Sequence, residues 1–153
     1  MIVVQRPGVF TTVQDLGRDG WRRIGVPAGG ALDAYALRVA NLLVGNAEGD
    51  AALEMTADGA TVRFERDSVV ALAGGEFTAR AGGRTLPAWR ATAVLAGTVL
   101  EIGRAQRGWR AYVAVSGGID VPEVLGSRST YVRARIGGMD GRALRADRAG
   151  ASA

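Results

Sequence analysis

Apolar residues alternate with polar ones in short bursts, each closed by glycine. Ile2-Val3-Val4 opens the chain. Ala52-Leu53-Glu54-Met55-Thr56 and Ala60-Thr61-Val62-Arg63-Phe64-Glu65 follow, joined through Asp58-Gly59. In the second burst Val62 and Phe64 share one face, and Arg63 and Glu65 the other, as a half-buried strand requires. Ser68 to Leu72 is apolar nearly throughout, which predicts a strand buried on both faces. Phe77–Arg80 and Arg84–Leu86 flank Gly82-Gly83 and read as a hairpin. Thr98–Ile102 and Ala111–Val115 complete the set. Short strands divided by glycine turns point to an all-β sandwich or barrel.

One segment has helical spacing. From Asp33 to Val44, Leu32, Tyr35, Ala36, Val39, Ala40 and Leu43 fall on one broad face, with Arg38 and Asn41 outside it. Asp33 suits an N-cap, and Gly45 ends the run. The segment 146–153 is small and polar and is expected to fray, leaving 1–145 as one domain.

Composition narrows the chemistry. All 19 basic residues are arginine, and the chain has no histidine, lysine or cysteine. A histidine base, a Schiff-base lysine, a P-loop lysine and a biotin-carrying lysine are therefore absent from these residues, and no metal site is expected. The net charge of +4 arises from arginines spread along the chain, not from a basic block. No apolar stretch is long enough for a membrane anchor or a signal, so a cytoplasmic location is the default expectation. Arg107, Trp109, Arg110 and Tyr112 interleave basic and aromatic residues as single-strand nucleic-acid platforms do. Strand alternation explains the same pattern, and no nucleic-acid partner is expected.

Four motifs carry a resemblance. The first is Pro7-Gly8-Val9-Phe10-Thr11-Thr12-Val13-Gln14-Asp15-Leu16-Gly17-Arg18. The second is Gly25-Val26-Pro27-Ala28-Gly29-Gly30-Ala31-Leu32-Asp33, running on to Asn46. The third is Ala52-Leu53-Glu54. The fourth runs from Arg110 through Val115-Ser116-Gly117-Gly118-Ile119-Asp120 to Leu125-Gly126-Ser127-Arg128-Ser129-Thr130-Tyr131. Together they resemble the family that holds allophanate hydrolase subunit 2, biotin-dependent carboxyltransferase subunits and the C subunit of 5-oxoprolinase. The resemblance implies a cyclophilin-like β-barrel working beside a smaller, cyclophilin-like B subunit and an A subunit of 5-oxoprolinase. In 5-oxoprolinase such a complex uses ATP to open 5-oxoproline to glutamate. In urea carboxylase the equivalent domain moves a carboxyl group from carboxybiotin to urea. A third relative regulates a sporulation kinase together with its partner. Members of the family have two similar halves, and this chain matches the first. Turnover by the isolated chain is therefore not expected. A symmetric homodimer through Val113, Val115 and Ile119 is an expectation of the same kind.

The candidate site residues follow from chemistry and resemblance together. Gln14, Asp15 and Arg18 form a polar cluster beside glycines: Asp15 could act as base, and Arg18 could grip a carboxylate or phosphate. The other reading is a loop in which these side chains cap backbone or pair with each other. Asp33 is a helix cap or a catalytic carboxylate, and Gly29 and Gly30 before it could present amides to an anion. Ser127, Arg128, Ser129 and Thr130 suit anion binding, or form a hydroxyl-rich turn leading into a strand from Tyr131 to Arg133. Glu54, in an apolar strand, is a candidate base if it faces a cleft.

Overall fold

The computed structural model describes residues 2–146. Among these residues are eight strands and one α-helix: β1 Ile2–Arg6, β2 Phe10–Gln14, a 3-10 turn Arg22–Ile24, α1 Ala34–Leu43, β3 Ala52–Thr56, β4 Thr61–Phe64, β5 Ser68–Ala81, β6 Arg84–Thr85, β7 Ala91–Val94 and β8 Val99–Val115. The fold is mainly β, as its alternation predicts. One curled sheet runs β1-β4-β8-β3-β2, with β5 pairing β8, β6 and β7. The 17-residue β8 organises it. Its first residues pair β4, its last pair β3, and β5 lies against it almost throughout. A strand that changes neighbours along its length forces the sheet to curl into a barrel wall.

Alternation places two cores on opposite faces. Val13, Leu53, Met55, Phe64, Val70, Leu72, Leu100, Ile102 and Val113 point into the barrel. Ala52, Ala71, Ala73, Tyr112 and Ala114 point outward, against Ala36, Leu37 and Ala40 of α1. Alanines on both sides let the helix lie close to the sheet. The residues from Ser68 to Leu72 thus serve both cores, as their unbroken apolar run predicts. The β5–β6 hairpin also forms where expected, with Gly82 and Gly83 both at positive φ, as a type I′ turn demands.

Three expectations need correction, and two strands are unexpected. The buried face of α1 is Ala36, Leu37, Ala40 and Asn41, while Leu32 and Tyr35 face solvent. Asn41 turns inward because its side chain donates to the Asp50 carbonyl (2.7 Å) and accepts from Asn46 (3.1 Å). Val113, Val115 and Ile119 pack in the barrel core and offer no dimer surface. Tyr131–Arg133 is not a strand: Tyr131 makes only an isolated bridge to Ile136. Phe10–Gln14 and Ala91–Val94, which the pattern does not single out as strands, are β2 and β7. Of the segment expected to fray, only Ala146 lies within the described residues.

Beyond β8 the chain closes the sheet without adding a named strand. The Thr130 amide donates to the Val13 carbonyl (2.9 Å), and the Leu144 amide to that of Thr11 (2.8 Å). This segment therefore covers the outer edge of β2, a strand edge that would otherwise invite foreign pairing.

Candidate functional site

Strand register builds the first cluster. Thr12 pairs with Glu54, and Glu54 with Tyr112, so three adjacent strands carry one polar row on the helix side of the sheet. Further along the same pair of strands, Thr56 pairs with Arg110. Glu54 is 7% exposed, and burial demands partners for its charge. Its Oε2 accepts from the Tyr112 hydroxyl (2.7 Å) and the Leu32 amide (2.9 Å). The same hydroxyl accepts from the Asp33 amide (2.8 Å). Arg110 brings its Nε to 3.8 Å from Glu54 Oε1 and donates through Nη1 to the Thr56 hydroxyl. That Nε has no hydrogen-bond partner among the described residues, while the side chain is 28% exposed. A carboxylate, a phenol and a partly exposed guanidinium thus meet at the start of α1.

Burial pushes the Tyr112 phenol well above its ordinary range; the Asp33 amide donating into it pulls the other way, and the neighbouring Glu54 carboxylate raises it further. Tyr112 therefore stays protonated and donates to Glu54. A phenol with a raised folded pKa stabilises fully below its unfolded value near pH ~10, and that contribution is lost as pH climbs through the folded value. Tyr112→Phe should cost about 1–3 kcal/mol at neutral pH, because the Asp33 amide and Glu54 each lose a buried partner. It should also flatten the fall in stability above pH ~10. Urea unfolding of both proteins from neutral to alkaline pH checks this; equal slopes would place Tyr112 outside the alkaline transition.

The second cluster is a clamp. Asp15 Oδ1 accepts from the Gly17 amide (2.7 Å), the Ser127 hydroxyl (2.7 Å) and the Ser129 hydroxyl, and Oδ2 accepts from the Arg128 amide (2.6 Å). The Ser129 hydroxyl also accepts from the Asp15 amide (3.0 Å). This buried carboxylate ties the loop after β2 to residues more than a hundred positions away. A second lacing joins that loop to the glycine loop before α1: the Arg18 amide donates to the Ala28 carbonyl (2.7 Å), and the Ala31 amide to that of Asp15 (2.9 Å). The approach needs glycine, since a Cβ on Gly30 would stand 2.7 Å from the Leu16 backbone carbon.

Arg18 is 0% exposed. Its Nε donates to the Val124 carbonyl (3.3 Å) and Nη2 to that of Ser129, while Nη1 has no partner among the described residues. Gln14 donates to the Thr12 hydroxyl (3.1 Å) and the Thr130 carbonyl (3.2 Å). The Thr130 hydroxyl donates to the Val13 carbonyl. Arg128 pairs with Glu123 (2.6 Å) and donates to the Val121 carbonyl (3.0 Å). Asp33 caps α1, its Oδ1 accepting from the Ala36 amide (3.0 Å). The amides of Ala31, Leu32 and Asp33 are all consumed internally, by Asp15, Glu54 and Tyr112, and so are not free for an anion.

The structure therefore sorts the candidates into two groups. Gln14, Asp15, Arg18, Ser127, Ser129 and Thr130 lock the chain to itself, with Arg128 at their edge. Glu54 and Asp33 belong to the polar row. Arg110 and Tyr112 complete that row, and sequence reasoning does not single them out as site residues. The available signal is their spacing: two positions apart on β8, they must share a face, and Glu54 alternates onto that face in β3.

A curled, mainly β wall with one helix on its outer face carries the Glu54–Tyr112–Arg110 row on that helix side, and this is the half-barrel fold of a carboxyltransferase subunit. Residues 24–149 match the family described as carboxyltransferase domain, subdomain A and B, and the chain belongs to that family. It is 48% identical over 146 residues to the C subunit of 5-oxoprolinase from Escherichia coli K12, covering 95% of this chain and 47% of that protein. It is 41% identical over 145 residues to urea amidolyase of Saccharomyces cerevisiae, covering 94% of this chain and 8% of that one. The crystal structure of K. lactis urea amidolyase superposes with a TM-score of 0.93 at 41% identity, over 95% of this chain and 9% of that one. The chain thus spans about half the length of the oxoprolinase subunit. Among the described residues no helix is long and apolar enough to cross a membrane.

Proposed function

We propose that this chain forms part of an ATP-dependent 5-oxoprolinase-type complex, together with partners of the A-subunit and B-subunit kinds, which opens 5-oxoproline to glutamate. The 48% identity to the C subunit of 5-oxoprolinase along 95% of the chain carries this reading. The polar row supports it chemically. 5-Oxoproline offers a carboxylate and a lactam N–H. Arg110, whose side chain is partly exposed although its Nε is buried against Glu54, suits the carboxylate through the rest of its guanidinium. The Glu54 carboxylate beside it suits the lactam N–H as an acceptor. Tyr112 holds Glu54 in place, and Asp15 with its serines holds the loops that frame the row.

In this reading the nucleotide is held by another subunit of the complex. The chain has no lysine, and the amides at Ala31, Leu32 and Asp33 are occupied.

The second reading is a biotin-dependent carboxyltransferase acting on urea or a related amide, favoured by the 0.93 TM-score to urea amidolyase. The same row would then orient the urea N–H groups. A substrate panel separates the two. The complex assembled with its partner subunits should release glutamate from 5-oxoproline only with ATP, and should leave urea untouched. Carboxylation of urea from carboxybiotin, with no glutamate released, would replace the first reading with the second.

A further inference from the structure

Between Gly74 and Glu76, β5 advances two residues while its partner β8 passes four, from Ala111 to Arg107. The surplus forms a bulge, and bulges re-aim side chains. Beside it, strand alternation puts consecutive residues on opposite faces. Arg110 turns into the polar row, and Trp109 turns out to 72% exposure.

The geometry is demanding. Gly74 and Gly108 have positive φ, and a Cβ on Gly74 would stand 2.6 Å from the Arg110 carbonyl oxygen. The ground beneath is fixed: the Ala57 amide donates to the Trp109 carbonyl (3.0 Å), and the Ala105 amide to that of Ala57 (2.8 Å). Val9, 70% exposed, stands across a cleft lined by Trp109, Asp58, Arg104 and Arg107. A rigid backbone holding a tryptophan in water beside an exposed valine is the form of an interface anchor.

The charge around it selects the occupant. Asp58 is matched by Arg6 at 2.5 Å. Arg107 meets Glu76 only at 3.5 Å, with both side chains largely exposed. Arg104 has no ion pair among the described residues. The rim is therefore net basic, on a chain of charge +4. A second copy would bring the same arginines against it.

We infer that the Trp109–Val9 cleft docks an acidic segment of a separate partner subunit, with an apolar side chain of that segment packing on the indole and its carboxylates meeting Arg104 and Arg107. This rests on the reading that the chain works within a multisubunit complex.

Titration calorimetry with the purified partner of the B-subunit kind tests it, using wild type, Trp109→Ala, Arg104→Glu and a control, Leu95→Ala, at an exposed turn. Trp109→Ala should weaken binding by about 30-fold or more, the loss typical of an aromatic anchor. Arg104→Glu should weaken it and reduce its salt dependence. Leu95→Ala should bind as wild type does, and all four should share one melting temperature. Wild-type binding that survives both Trp109→Ala and Arg104→Glu would overturn the inference and leave the complex intact as a reading. No binding by wild type to any partner subunit would overturn the complex reading, and this inference with it. Self-association of wild type that Trp109→Ala abolishes would make the occupant a second copy, which also overturns it.

Discussion

Replacing Asp15 by alanine should unfold the protein, or lower its stability by about 3–5 kcal/mol, the range for breaking a buried network around a charge. The buried carboxylate accepts from the Gly17 and Arg128 amides and the Ser127 and Ser129 hydroxyls. Alanine strands these donors where water has little access. A domain of this size holds roughly 5–15 kcal/mol in all, so the loss is a large share. Asp15→Asn should fall between wild type and alanine, because one oxygen survives as acceptor while the new amide faces donors. Urea unfolding of the three proteins measures this. A cost below about 1 kcal/mol for alanine would mean that the clamp holds little of the fold together.

Glu54→Gln should do the opposite: spare the fold and remove the activity. Glutamine keeps an acceptor for the Leu32 amide and the Tyr112 hydroxyl, so stability should drop by only about 1–2 kcal/mol. What disappears is the charge beside Arg110. If Glu54 accepts the substrate N–H, turnover by the assembled complex should fall by about 100-fold or more. The two clusters are thus separable by experiment: Asp15 moves the unfolding midpoint, and Glu54 moves kcat/KM. Turnover within about twofold of wild type in Glu54→Gln would remove that residue from the chemistry.

Alternation makes the sheet readable. Val62 and Phe64 are buried and Glu65 is exposed, as the burst Thr61–Glu65 implies, and Asp33 caps α1 as its carboxylate suggests. The helix face departs from its pattern because polarity is not exposure: Asn41 is buried and satisfied by the carbonyls and side chain of the loop that follows α1. β2 is hard to see by alternation because Thr11, Thr12, Val13 and Gln14 are all buried, under β3 and the segment near Thr130, so polar side chains lie where an apolar face would be expected. The clamp is legible only as a local polar cluster. Apart from Gly17, its partners lie 112 to 114 positions away from Asp15, at a distance no local spacing rule reaches. The polar row is hidden for a similar reason: Glu54 and Tyr112 become neighbours only through the β3–β8 register.

In the proposed function the substrate carboxylate sits on Arg110 in the polar row. Calorimetry of 5-oxoproline with the assembled complex, wild type against Arg110→Ala, tests it most directly. The expected result is affinity weakened by about 10-fold or more, the loss of a charge-assisted contact to a carboxylate, with the complex still assembled. Equal affinity in the two proteins would contradict it and move the substrate away from Glu54, Tyr112 and Arg110.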